Sequence, residues 1–218
     1  MIIAIAGLKG GIGKTLVSVH LAGEALARGS RVLLADADPQ RSALTWADVA
    51  AEAGQPSPTV IGVPASLHKQ IPPLAAAHDV TIIDCPPRGD AMTRAAMMVA
   101  DVVVLPTGPA PTDFWALSGS VAVVQEAQAL RPDLRAVLVL NRLQPRQNLS
   151  ASARAALEGF GLPVLASSLG MRTAYAESLA CGMSVTAHSP GSSAALEVRA
   201  LYSEILATIA GEGASHAA

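Results

Sequence analysis

The sequence predicts an α/β fold, a doubly wound and mostly parallel sheet with helices on both faces. Short β-branched apolar runs recur along the 218 residues, and alanine-rich stretches with helical spacing lie between them. Hydrophobic residues make up 51% of the chain, against 15% charged and 3% aromatic. Apolar runs without alternation belong to strands buried on both faces, as parallel strands are. Strand–helix alternation then places helices on both sides of one sheet. With so few aromatics, Ala, Val, Leu and Ile must fill the core, which suits close helix-on-sheet contact.

The first run, IIAIA at 2–6, is apolar but short. It has no basic lead-in and passes directly into glycines, so it reads as a strand and not as a secretion signal. A helix follows over Leu16–Arg28, then the strand RVLLAD at 31–36. Residues 51–65, AEAGQPSPTVIGVPA, are the loosest part and read as a surface connection around one short strand. VTIID (80–84) and DVVVLP (101–106) are the next strands, and a helix spans Thr112–Leu130. AVLVLN (136–141) precedes a helix over Leu149–Phe160, and PVLAS (163–167) is the last strand before a helix over Ser192–Ile209. No Ser/Gly linker, charge run or internal repeat divides the chain. Residues 1–210 therefore read as one domain and 211–218, GEGASHAA, as a flexible tail.

The formal net charge of −2 excludes a chain that attracts polyanions as a whole, so any nucleic-acid binding needs a local patch. Cys85 and Cys181 have no metal-ligand spacing and read as reduced thiols of a cytosolic protein. No apolar run approaches the ~20 residues needed to span a bilayer. A soluble, cytoplasmic protein is expected.

GLKGGIGKT at 7–15 sits where the first strand ends and the first helix begins. In open α/β sheets, ligands bind beyond the carboxyl ends of the strands. Gly10, Gly11 and Gly13 let backbone N–H groups, that of Ile12 among them, converge on an anion, and the N-terminus of the helix that begins near Lys14 and Thr15 and continues through Leu16 adds partial positive charge. Gly13-Lys14-Thr15 supplies the core of a Walker A loop, with Lys14 for the β/γ-phosphates and the Thr15 hydroxyl for Mg2+. Residues 10–16 are thus the candidate nucleotide contacts. The usual first glycine of that pattern falls on Leu8, and a second lysine, Lys9, stands at the tip.

With Lys9 the loop reads K-G-G-x-G-K-T, which resembles the deviant Walker A of the ParA/MinD family of ATPases. ADADPQ (35–40) resembles the family's D-x-D-P-Q motif, and TIIDCPP (81–87) its Walker B strand. PTGPAPTDFWALSGSVAVVQEAQAL (106–130) and RTAYAESLACGMSV (172–185) look like segments of the short, ParF-like partition ATPases. These motifs keep the family's order over residues 1 to 205.

The resemblance implies an Mg2+-dependent ATPase in which Lys9 reaches across a two-fold axis to the partner's ATP, so that two monomers sandwich two nucleotides. Transfer to water needs charge neutralisation at the γ-phosphate and an oriented nucleophile. By resemblance Asp38 orients the attacking water, and Asp36 supports Mg2+ or the loop. Both end the second strand on one side, with Ala37 opposite. Asp84 ends a buried strand, where an unpaired carboxylate is costly, and a water-mediated Mg2+ contact gives it a partner. Asn141 ends a core strand where an amide pairs with a purine edge, and many family members carry asparagine there; a simple turn is the other reading. Pro109, Pro111 and Asp113 fall where the family's dimer face lies.

Family members of this kind bind nonspecific DNA as ATP dimers, associate with the nucleoid in that state, and respond to a small centromere-binding or adaptor protein. Lys9, Lys14 and Lys69 are the chain's three lysines, so arginines must make phosphate contacts. The candidates are Arg142, Arg146, Arg154, Arg172 and Arg199. Three rivals share the fold. A membrane-cycling regulator of the MinD type needs a basic amphipathic C-terminal helix, and residues 203–218 carry no Lys or Arg, so no membrane partner is expected. A metal-cluster ATPase is disfavoured by the absence of a C-x-x-C. An ATP-dependent small-molecule synthetase is disfavoured by the scarcity of lysine and the presence of Lys9. The expected cargo is a plasmid, a chromosome region or a protein compartment such as a carboxysome.

Overall fold

The computed structural model describes residues 1–64, 66–88, 91–144 and 149–211. The chain runs β1 (Ile2–Ile5), α1 (Lys14–Ala27), β2 (Val32–Asp36), α2 (Ser42–Glu52), β3 (Thr59–Gly62), α3 (Leu67–Ala75), β4 (Val80–Asp84) and α4 (Ala91–Met97). It continues through β5 (Val102–Thr107), α5 (Pro111–Leu130), β6 (Arg135–Leu143), α6 (Leu149–Glu158), β7 (Val164–Gly170), α7 (Thr173–Ala180), α8 (Val185–His188) and α9 (Ser193–Ala210). The strands form one sheet in the order β3-β2-β4-β1-β5-β6-β7, and all its pairings among the described residues are parallel.

Alternation along each strand sorts the core into two layers. Ile3, Ile5, Val32, Leu34, Ile82 and Val104 face one side, under Val17 and Leu21 of α1, Tyr175 of α7, and Val198, Leu201 and Ile205 of α9. Ala4, Ala6, Ala35, Ile83, Val103 and Leu105 face the other, against Leu67 and Ile71 of α3, Met97 of α4, and Leu117 and Val124 of α5. Small alanines thus line the sheet on the face that α3, α4 and α5 cover. Helix α1 lies over the centre of the sheet and is buried without a break from Val17 to Ala25.

The chain leaves β1 towards β2 on one side of the sheet and later crosses from β4 to β5 on the other. This strand order makes the carboxyl end of β1 the switch point, where a crevice opens. Register aligns Asp36 with Asp84 and Ile5 with Asp84, which brings both carboxylates to the rim beside the loop that follows β1. No helix among the described residues is long and apolar enough to cross a membrane.

Five helices, α2, α3, α4, α7 and α8, go beyond the four read from the sequence. Two strands also run further than their apolar cores. β6 spans Arg135–Leu143, although Arg142 adopts a left-handed φ of 61° within it. β7 spans Val164–Gly170, with irregular register against β6. The anticipated tail lies outside the described residues from position 212 onward, as does Arg146.

Candidate nucleotide-binding site

The loop after β1 is anchored at its base and turned by glycines at positive φ, Gly11 and Gly13 among them. Leu8 N donates to Ser120 Oγ at 3.0 Å, and Arg88 N donates to Leu8 O at 2.8 Å. Gly13 caps α1 in the left-handed region at φ 89°. A Cβ there would lie 2.5 Å from Asn141 Nδ2, so the position requires glycine both for its torsion and for that contact. Asn141 is buried at the end of β6. Its Nδ2 donates to Ile12 O at 2.8 Å and its Oδ1 accepts from Arg142 N, so the amide braces the loop from the far side. Arg142 adds a second brace, donating to Gly11 O at 3.0 Å.

Inside this cradle Lys14 is 7% exposed. Burial lowers the pKa of its ammonium, and the charges of Asp84 and Asp38 oppose that shift. Its Nζ donates to Lys9 O at 3.2 Å. The ammonium thus lies among acids within the loop, close to the N-terminus of α1. Lys9 behaves differently. Its amine points away from the cradle to α5, 2.6 Å from Asp113 Oδ1 and 3.3 Å from Thr112 Oγ1.

The three acids have distinct surroundings. Asp84 is fully buried, and Oδ1 accepts from Ser18 Oγ at 3.0 Å, while Oδ2 has no partner among the described residues. Burial pushes this carboxyl up to about 7; the Thr15 hydroxyl pulls it down, Asp36 pushes it further up, and Ser18 and Lys14 pull it down. An orphaned carboxylate oxygen beside the Thr15 hydroxyl fits a hydrated Mg2+, which binds through one or two carboxylates together with substrate phosphates. Thr15 and Asp84 would hold the ion, which would supply neutralisation of phosphate charge.

Asp36 is committed otherwise. One oxygen accepts from Asp38 N at 3.1 Å, and the other from Ala43 N and Leu44 N at 2.9 and 3.0 Å, where it caps α2. Burial raises its carboxyl pKa against these three N–H donors. The structure therefore ties Asp36 to the shape of the 36–44 loop. Asp38 accepts from Gln40 N at 2.9 Å and stands, partly exposed, in the wall of a cleft of about 530 Å³ between Asp36, Arg41, Gly62 and Met92.

A second cleft, of about 450 Å³, opens beyond the loop between Lys9, residues 108–113, Arg142 and Met171. It offers space for a nucleoside next to the braced loop. The candidate DNA contacts do not share one element: Arg142 lies on β6, Arg154 on α6, Arg172 before α7 and Arg199 on α9. Arg154 donates to Leu165 O and Ala166 O, and Arg199 to Pro190 O with Glu24 3.8 Å away. Arg172 is paired with Glu197 at 2.5 Å, and the same glutamate holds Gly170 N and the Tyr175 hydroxyl.

Sequence reasoning missed Ser18, although it lies on the same helical face as Lys14, one turn on, and its Oγ also donates to Lys14 O at 3.0 Å. It also missed Ser120, Gly108 and the Lys9–Asp113 contact, which are brought together only by the sheet.

A phosphate cradle at the switch point, a buried lysine and a metal-ready Thr–Asp pair together define a P-loop ATPase that works with ATP and Mg2+. The description of a CobQ/CobB/MinD/ParA nucleotide binding domain matches residues 3–185, and the chain belongs to that family as a ParA/MinD-type ATPase. It is 33% identical over 207 residues to the maintenance of carboxysome distribution protein A of Halothiobacillus neapolitanus, covering 94% of this chain and 95% of that one. It is 29% identical over 241 residues to the chromosome-partitioning ATPase Soj of Thermus thermophilus, covering 95% and 96%. Among solved structures, the septum site-determining protein MinD of Pyrococcus horikoshii, complexed with Mg-ADP, superposes with a TM-score of 0.76 at 20% identity, covering 98% of both chains.

Proposed function

We propose that the chain is a ParA-type positioning ATPase that forms an ATP-dependent sandwich homodimer and binds nonspecific DNA in that form, on the nucleoid. It would segregate or distribute a cargo, with hydrolysis stimulated by a small centromere-binding or adaptor protein. One observation carries the reading: the two lysines of a single loop are sent to different places. Lys14 is enclosed with Asp84 and Asp38, whereas Lys9 leaves the cradle for the α5 face. A cation aimed outward from its own phosphate site is available to a facing copy's triphosphate, as an arginine finger supplied in trans is.

In this reading Asp38 orients the attacking water from the rim of its cleft, and Asp36 holds the loop that positions Asp38. Arg142 borders the nucleoside cleft, and Asn141 braces the loop beside it. Arg142 and Arg154 are the stronger DNA candidates, because they bond to carbonyls, which leave their charge uncompensated. Arg172 is neutralised by Glu197. The names of the two relatives support a protein compartment or a chromosome region as cargo.

The test is the ATPase rate and DNA retention of the ATP-bound protein, with and without nonspecific duplex, at two salt concentrations. DNA binding that falls steeply with salt is expected. A protein that ignores DNA at low salt would refute the proposal.

A further inference from the structure

Lys9 and Asp113 are 104 positions apart in sequence, yet they form an ion pair at 2.6 Å. The aspartate side chain is 14% exposed and the lysine 35%, so water screens the pair only in part. Asp113 is held in place from two sides. Its second oxygen accepts from Ala110 N at 3.3 Å, and its own N–H donates to Ala110 O at 2.8 Å, which fixes it in the first turn of α5. The carboxylate also fills the space above Gly108, where a Cβ would lie 2.2 Å from Asp113 Oδ2. Gly108 has no positive φ, so this close approach, and not its torsion, accounts for the missing side chain.

We propose that Asp113 is a positioning residue that keeps the Lys9 ammonium on its own chain, and that a phosphate arriving at Lys14 weakens this hold. The proposal rests on the reading that Lys9 serves a second copy's nucleotide. One ammonium cannot be committed both to the Asp113 carboxylate and to a triphosphate across an interface. The link to nucleotide is the bond from Lys14 Nζ to Lys9 O at 3.2 Å. A phosphate that takes the Lys14 ammonium removes that bond, and the Lys9 backbone is then tethered only through its neighbours. Those tethers are the Leu8 bonds to Ser120 and Arg88 on one side and the Arg142 bond to Gly11 on the other. A ligand moves an equilibrium only through contacts that differ between its two states, and this bond is such a contact.

A surface ion pair favours its bonded form by up to about fivefold, and this half-buried pair is taken at that upper end. Each dimer frees two lysines, so removing the carboxylate should tighten ATP-dependent self-association by up to roughly 25-fold. Asp113→Asn keeps an oxygen for the Ala110 N–H and removes the charge. Gly108→Ala keeps the charge and displaces the carboxylate from its seat.

The experiment is sedimentation velocity over a protein concentration series, with Mg2+ and a non-hydrolysable ATP analogue. Asp113→Asn is expected to dimerise at lower concentration than the parent chain. A purely structural role as a cap of α5 would instead lower the melting temperature and weaken the dimer. Lys9→Ala, run in parallel, separates the two claims. If it dimerises like the parent, the trans reading fails and takes the positioning claim with it. If Lys9→Ala stays monomeric and Asp113→Asn is no tighter than the parent, only the positioning claim falls. Should Asp113→Asn not fold, Gly108→Ala carries the same expectation and the same refutation.

Discussion

Acid should weaken this fold through one residue in particular, His20 of α1. The ring is fully buried, and its Nδ1 accepts from Val185 N at 3.1 Å, the N-terminal residue of α8. The ring proton therefore resides on Nε2, which is buried without a partner among the described residues and cannot share an added charge. The Tyr175 ring packs against that of His20 at a tilt of 40°, with centroids 5.1 Å apart, and burial lowers the pKa to about 3. An unfolded histidine titrates near 6.5. With the folded value depressed, the contribution is complete above about 6.5 and declines as pH falls towards 3, because the unfolded chain takes up a proton that the native chain refuses. Between pH 7 and pH 5 the linkage amounts to about 2 kcal/mol, or about 4–8 °C in melting temperature for a chain of this size. His20→Asn offers an oxygen to Val185 N and does not titrate. Urea melts of both proteins at pH 5, 6 and 7 are the assay. The advantage of the parent over the variant should shrink by that amount across the range. A difference independent of pH would show that the folded ring titrates like the unfolded one, as a histidine open to water does, and would refute the reasoning.

Three further outcomes follow from the site. Lys14→Ala should abolish nucleotide binding, read by fluorescence of a labelled ATP analogue, since the enclosed ammonium is the cradle's only lysine; unchanged affinity would remove the loop assignment. Gly13→Ala places a side chain at φ 89° and against Asn141 Nδ2, costing about 2 kcal/mol through torsion and the displaced bond, with nucleotide affinity falling alongside thermal stability. Asp84→Asn removes a buried charge with an orphaned oxygen, so the variant should melt no lower than the parent while its nucleotide affinity loses dependence on Mg2+; retained Mg2+ dependence in calorimetry would refute the role given to Asp84.

What the sequence made legible were features written in consecutive residues. The central strands β1, β2, β4, β5 and β6 are buried on both faces, so each announces itself as an apolar run with no alternation. Helices α1, α5, α6 and α9 lie in alanine-rich stretches between those runs and were legible there. The other helices were not. α3 has only Leu67 and Ile71 buried and contains Pro72 and Pro73, while α4 and α8 span seven and four residues. Their shape is imposed by the elements they pack against. The same divide runs through the site. Lys14, Thr15, Asp36, Asp38 and Asp84 stand in short strings at strand ends. The Asp113 carboxylate, the Gly108 gap and the Ser120 hydroxyl come from beyond position 100 and meet residues 8 and 9 only through tertiary packing. Asn141 was read at a strand end, but its brace on Ile12 depends on β6 lying two strands from β1, which no local string encodes.

The unbroken burial of α1 from Val17 to Ala25 has a mechanical consequence. Close-packed interiors compress little and transmit strain, so α1 is built to move as one body. A displacement imposed at its loop end would be carried along the rod to α8 and α9, which pack against it, and not be absorbed on the way.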